Sequence, residues 1–170
     1  MGADARSAGP GSRTAPRARA VVWDVMSTAT PSVGVATPAA EVAKILLDHE
    51  VESLPVVSPT GEVVGIVSEG DLIARVAYEP RHRGPIDLLR SEVRGEDPRW
   101  LRKAGGRIAG DLMTVEPATV DPDDDLVEAA RRLLEGHHDR LPVVVGRRLV
   151  GTIGRRELLR VLYPPVTGPT

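Results

Sequence analysis

The chain repeats itself, and that constrains its fold more than any other feature. Asp24-Val25-Met26 returns as Asp111-Leu112-Met113, and Leu54-Pro55-Val56-Val57 returns as Leu141-Pro142-Val143-Val144, both 87 residues later. Gly65-Ile66-Val67 returns as Gly151-Thr152-Ile153 after 86 residues. The missing residue falls between the last two anchors, where Ser58-Pro59-Thr60-Gly61 in the first copy shrinks to Gly146-Arg147 in the second. A length change confined to a turn is what a structural duplication tolerates. One small unit is therefore folded twice.

Each copy carries the same order of elements. A short extended stretch follows the Asp-x-Met segment, Ser32 to Val35 in the first copy and Ala118 to Val120 in the second. Val42, Ile45, Leu46 and His49 then recur at helical spacing, as Leu126, Ala130, Leu133 and His137 nearly do, which predicts an amphipathic helix in each. Two β-branched runs separated by a turn come next: Val56-Val57 with 63–67, and 143–145 with 149–153. A last helix starts at Ser68 or Gly154 and carries Leu72, Ile73 and Val76, or Leu158, Leu159 and Leu162. The unit is thus β-α-β-β-α, about 55 residues long and too small to bury its own sheet and helices well. Two copies packed together can do so.

These boundaries divide the chain into a tail (1–20), a first repeat (21–77), an inter-repeat linker (78–107), a second repeat (108–163) and a closing tail (164–170). The first tail is rich in Gly, Ala, Pro, Ser and Arg and has no apolar h-region, so it reads as disordered rather than as a secretory signal. The last residues, Pro164-Pro165-Val166-Thr167-Gly168-Pro169-Thr170, cannot continue a helix or strand. In the linker, Ile86, Leu88, Leu89, Trp100 and Leu101 predict short helices packed on the repeats.

Composition closes off several function classes. Lys and Arg total 22 against 24 Asp and Glu, a net charge of −2, which argues against phosphate-driven nucleic-acid binding. Aromatics are 2% with no Phe, so base-stacking platforms are excluded. Zero cysteines rule out disulfides, thiolate zinc sites and a Cys nucleophile, and suit a reducing, cytoplasmic setting. No stretch approaches the roughly 20 apolar residues of a membrane span. Neither a nucleophile-base pair nor a P-loop nor a dinucleotide turn is visible, so no enzyme activity is expected.

In Asp24-x-Met26 and Asp111-x-Met113, Leu54-Pro-Val-Val57 and Leu141-Pro-Val-Val144, and Gly65-Ile-Val-Ser-Glu-Gly-Asp71, the chain resembles a tandem pair of cystathionine-beta-synthase (CBS) domains, also called a Bateman module. The resemblance covers Val21 to Tyr163. It implies an α/β fold of two β-α-β-β-α repeats packed with pseudo-twofold symmetry. It further implies a homodimeric regulatory module that senses an adenosyl ligand (AMP, ADP, ATP or S-adenosylmethionine) in clefts between the repeats and signals to a partner. The competing expectation is a structural or protein-interaction module with a vestigial pocket.

The candidate site lies where a strand of the first repeat runs into a helix. Ser68 at the N-cap and Asp71 at N3 satisfy a capping box, Ser68 accepting from first-turn N–H groups and Asp71 reaching back. The same helix N-terminus attracts phosphate, and the resemblance gives Ser68 the phosphate and Asp71 the ribose hydroxyls. Both readings hold together, before and after a ligand arrives. The base is expected against Val51, Leu54 and Pro55 and the stretch around Val33 and Val35. The second copy departs from the pattern, with Gly154 in place of the hydroxyl and Glu157 in place of the ribose carboxylate. One good site per chain follows, with Arg140, Arg155 and Arg156 as candidate phosphate partners. His137-His138 point about 100 degrees apart on a helix and make a poor metal pair, and 121–125 reads as an acidic helix start; no metal site is expected.

Overall fold

The structure, a computed structural model, describes residues 20–77, 103 and 105–163. The expected tails, apart from Ala20, and the short helices expected between the repeats lie outside the described residues.

The first repeat contributes β1 (Val33–Gly34), α1 (Ala39–Asp48), β2 (Ser53–Val57), β3 (Val63–Ser68) and α2 (Glu69–Ala77). The second contributes a short helix α3 (Ala109–Leu112), β4 (Thr114–Val115), α4 (Leu126–Glu135), β5 (Arg140–Val145), β6 (Arg148–Gly154) and α5 (Arg155–Leu162). β2 and β3 pair antiparallel, with Pro55 opposite Ile66, and β5 and β6 repeat the pairing with Pro142 opposite Thr152. Each hairpin has an irregularity after its Pro-Val step, at Val56/Val57 and Val143/Val144. The first extended stretch is shorter than its sequence pattern, since only Val33–Gly34 pairs, parallel to β2. In the second copy Val120 alone forms a bridge, to Val143.

The two repeats exchange their lead-in segments. β4 belongs by sequence to the second repeat yet adds to the sheet of the first, with Thr114 opposite Ile66. Its counterpart Ser27 bridges Thr152 on β6. Val22, in the 3-10 turn Val22–Asp24, is buried among Leu126, Leu133, Leu141 and Ile153 of the second repeat. Ala109 and Leu112 are buried with Val42, Leu46, Leu54 and Val67 of the first. Each core is thus completed by the other copy, which answers the burial deficit of a unit this small.

The exchange explains both short motifs. Asp24 accepts the Val21 N–H (3.2 Å) and Asp111 accepts the Arg107 N–H (2.9 Å), each closing the turn that aims the methionine across. A Cβ at Gly65 would stand 2.4 Å from Met113 Sδ, and one at Gly151 would stand 3.1 Å from Met26 Sδ and 2.8 Å from the Ser27 carbonyl. The glycine of one repeat is therefore the seat for the lead-in of the other. Helix starts are shared likewise: Ala39 N–H donates to Arg107 O (2.8 Å) and Leu126 N–H to Ala20 O (3.2 Å). The acidic run caps α4, where Asp125 Oδ1 accepts the Val127 N–H at 2.7 Å.

Candidate functional site

Two clefts lie between the repeats at pseudo-equivalent places. The first, about 380 Å³, has Ser68 and Asp71 on one wall, and Pro117, 136–140 and Thr114 of the second repeat on the other. The second, about 280 Å³, sets Arg156, Glu157 and Arg160 against Ser27, Thr30, Pro31 and 49–51 of the first repeat. Arg140 borders both.

Asp71 is the centre of the first cleft and is only 4% exposed. Its Oδ2 accepts the Ser68 N–H (2.7 Å) and the Ser68 hydroxyl (2.9 Å), and its Oδ1 meets Lys103 Nζ at 2.5 Å. Half of the expected capping box therefore forms, with Asp71 reaching back to the Ser68 amide. The other half is corrected, because the Ser68 hydroxyl donates to the carboxylate instead of accepting from the first turn. The buried negative charge is what turns it: an ionised acceptor outcompetes a backbone bond. Lys103, from the end of the linker, was not legible as a site residue; it also reaches Thr114 Oγ1 (3.1 Å).

Arg140 is 4% exposed. Nη1 donates to Thr152 Oγ1 (2.9 Å), while Nη2 stands 3.7 Å from Glu157 and 3.9 Å from Glu52. Its Nε, and the hydroxyl of Ser53 at the matching position of β2, are buried and find no hydrogen-bond partner among the described residues. Orphaned buried donors are costly, and both line the first cleft.

The structure moves most of the expected base-binding wall. Val33 and Leu54 belong to the first repeat's core, Pro55 is buried in β2, and none of them lines either cleft. Val35 is exposed, its carbonyl accepting the Gly110 N–H at 2.9 Å. Val51 lines the second cleft and not the first. The reason is the exchange, which sets the β3–α2 turn of one repeat opposite the α1–β2 or α4–β5 turn of the other. The apolar and polar wall facing Asp71 is accordingly Ile66, Pro117, His137, His138 and Asp139. Adding the repeat offset to Val51 gives His138, its counterpart in the first cleft. Gly136 leaves room for the His138 ring, which a Cβ there would push aside. Arg155 stays on the rim, paired with Asp139 at 3.4 Å, and Arg156 lines the second cleft. Among the described residues no group of three or more His, Cys, Asp or Glu is placed to hold a metal ion.

The CBS domain family matches residues 22–78 and 109–164, which are the two repeats. The chain belongs to the CBS domain family. Its CBS pair is 32% identical over 123 residues to the chloroplastic CBS domain-containing protein CBSX2 of Arabidopsis thaliana, covering 69% of this chain and 52% of that one. CBSX1 of the same plant is 33% identical over 130 residues, covering 71% and 53%. The chain thus matches about half the length of these relatives. A crystal structure of CBSX2 in complex with AMP superposes with a TM-score of 0.68 at 30% identity, covering 84% of this chain and 95% of that one. The CBS domain pair of protein MJ0100 shares the fold at 21% identity and a TM-score of 0.59, covering 85% and 97%.

Proposed function

We propose that this CBS pair is a regulatory module that binds an adenosyl ligand in the first cleft, with an adenine nucleotide such as AMP as the leading candidate, and signals to a partner. The observation that carries the reading is Asp71: a buried carboxylate at a helix N-terminus, in a cleft that also holds two buried donors without partners among the described residues. Ribose hydroxyls donate to Asp71, freeing the Ser68 hydroxyl to turn toward a phosphate at the start of α2. Arg140 supplies the charge opposite, and Ile66, Pro117 and His138 enclose the base. The AMP complex of CBSX2 supports the ligand class. In this reading Asp71, held by Lys103 and Ser68, serves to bind the ligand, and the module is regulatory rather than catalytic. Among the described residues no helix is long and apolar enough to cross a membrane; the absence of cysteine supports a cytoplasmic setting. A homodimer fits the exposed apolar side chains of α2 and α5, Ile73, Leu159 and Leu162.

The test is calorimetric titration and thermal shift with AMP, ADP, ATP and S-adenosylmethionine, on the wild type and on Ser68→Ala and Asp71→Asn. A ligand at one hundred times its Kd adds about 2.7 kcal/mol, several degrees for a domain of this size. Asp71→Asn is expected to weaken binding at least tenfold, since it removes charged hydrogen bonds. No binding by any of the four at millimolar concentration overturns the sensor and leaves an interaction module with a vestigial pocket.

A further inference from the structure

The second cleft differs from the first in chemistry, not only in sequence. Its Glu157 accepts the Gly154 N–H at 2.9 Å and faces Arg140, so the carboxylate is turned back toward its own helix start. Gly154 stands where the first repeat has the Ser68 hydroxyl. A Cβ there would lie 3.0 Å from Glu157 Oε2, 3.2 Å from the Asp139 carbonyl and 3.3 Å from Arg140 Cζ. A side chain there would crowd Glu157, the Asp139 carbonyl and Arg140 by a few tenths of an ångström each, and glycine avoids this. Around it, Arg156 and Arg160 line the cleft with the Ser27 side chain, against Glu50 and Glu157. Arg140, Arg156 and Arg160 thus face Glu50 and Glu157 across the cleft, Glu157 accepting a backbone bond, with Glu52 3.9 Å from Arg140 Nη2.

We infer that this second cleft is a phosphate-binding site that takes a compact oxyanion of the pyrophosphate class and not a nucleoside. Its centre is Arg140, a side chain 5% exposed whose Nε finds no hydrogen-bond partner among the described residues and whose Nη2 stands 3.7 Å from Glu157 and 3.9 Å from Glu52. A guanidinium in that state is a ready partner for two oxyanion oxygens. Arg156 and Arg160 at the exposed mouth add the second and third contacts and make capture dependent on ionic strength. The cleft is smaller than its counterpart, has Gly154 where the first has the Ser68 hydroxyl, and holds Glu157 within 3.7 Å of Arg140, which together favour a compact oxyanion over an attached sugar. The phosphate has two sources, free inorganic pyrophosphate or the terminal phosphates of a nucleotide seated in the first cleft, because Arg140 borders both. With free pyrophosphate as occupant the inference needs neither Asp71 nor Ser68; with nucleotide phosphates it rests on the proposed function of the first cleft.

The experiment is titration of the full chain at low salt with inorganic pyrophosphate, ATP, AMP and adenosine, on the wild type, on Asp71→Asn, and on the double variant Arg156→Ala/Arg160→Ala, whose exposed side chains are dispensable for folding. Free pyrophosphate as occupant is expected to bind the wild type and Asp71→Asn equally, and the double variant at least tenfold more weakly. Terminal nucleotide phosphates as occupant are expected to show instead as a tenfold loss of ATP affinity in the double variant with AMP unchanged. Either result supports the phosphate site. Unchanged binding of both pyrophosphate and ATP in the double variant overturns it, as does the binding of two equivalents of adenosine per chain. Loss of AMP binding with pyrophosphate binding intact refutes only the nucleotide reading of the first cleft.

Discussion

Replacing Lys103 by Met removes one half of an ion pair whose side chains are 12% and 6% exposed. Breaking a buried pair by deleting one partner costs about 3–5 kcal/mol, because an uncompensated charge stays behind. Asp71 keeps two donors from Ser68 when the ammonium is gone, so the low end applies, about 3 kcal/mol. For a domain of this length that lowers Tm by about 6–12 °C. Asp71→Asn leaves Lys103 with its bond to Thr114 and is expected to cost a similar amount. The two changes act on one interaction, so the double variant should be about 2 kcal/mol more stable than the sum of the single effects predicts. Urea denaturation of the wild type, both single variants and the double variant measures that coupling. Additivity within about 0.5 kcal/mol refutes the reasoning and shows that Asp71 is held by Ser68 and the helix start alone.

Other perturbations reach the exchange and the clefts. Gly65→Ala drives a methyl into Met113 and is expected to cost about 1–3 kcal/mol by overpacking, with part of the loss regained in Gly65→Ala/Met113→Ala; a neutral single variant would show that Met113 does not sit on the strand. Asp125→Ala deletes the cap of α4 and should destabilise by about 1 kcal/mol in chemical denaturation, with no effect on ligand titration. Arg140→Met is expected to weaken AMP binding about tenfold or more by calorimetry, as loss of a charged contact; unchanged affinity would place the phosphate elsewhere.

The element order was legible because it is written in local periodicity. Val42, Leu46 and Ile45 mark α1 through their spacing, and the β-branched runs mark the hairpins. The asymmetry of the two clefts was legible as well, since Gly154 and Glu157 break the pattern of Ser68 and Asp71 in plain view. The wall facing Asp71 was not. Val33 and Leu54 look like any apolar residues near a site, and only the tertiary structure shows that they pack into the first repeat's own core, while Pro55 pairs with Ile66 on the other face of the sheet. Lys103 escaped for a different cause: a lysine at the end of a linker carries no periodic signal, and its value comes from a carboxylate 32 positions away.

The sequence by itself determined that one β-α-β-β-α unit occurs twice, where its turns fall, and that a carboxylate and a hydroxyl open the last helix of the first copy. These follow from spacing along the chain, where neighbouring side chains share a face. Only the tertiary structure decided which copy supplies each wall. The lead-in segments cross to the opposite repeat, Met113 onto Gly65 and Met26 onto Gly151, because a unit of this size cannot close its own core. That crossing brings residues of one copy against the helix start of the other. It makes Arg140 a border of both clefts and leaves Asp71 facing histidines the linear pattern had assigned no role beyond a poor metal pair.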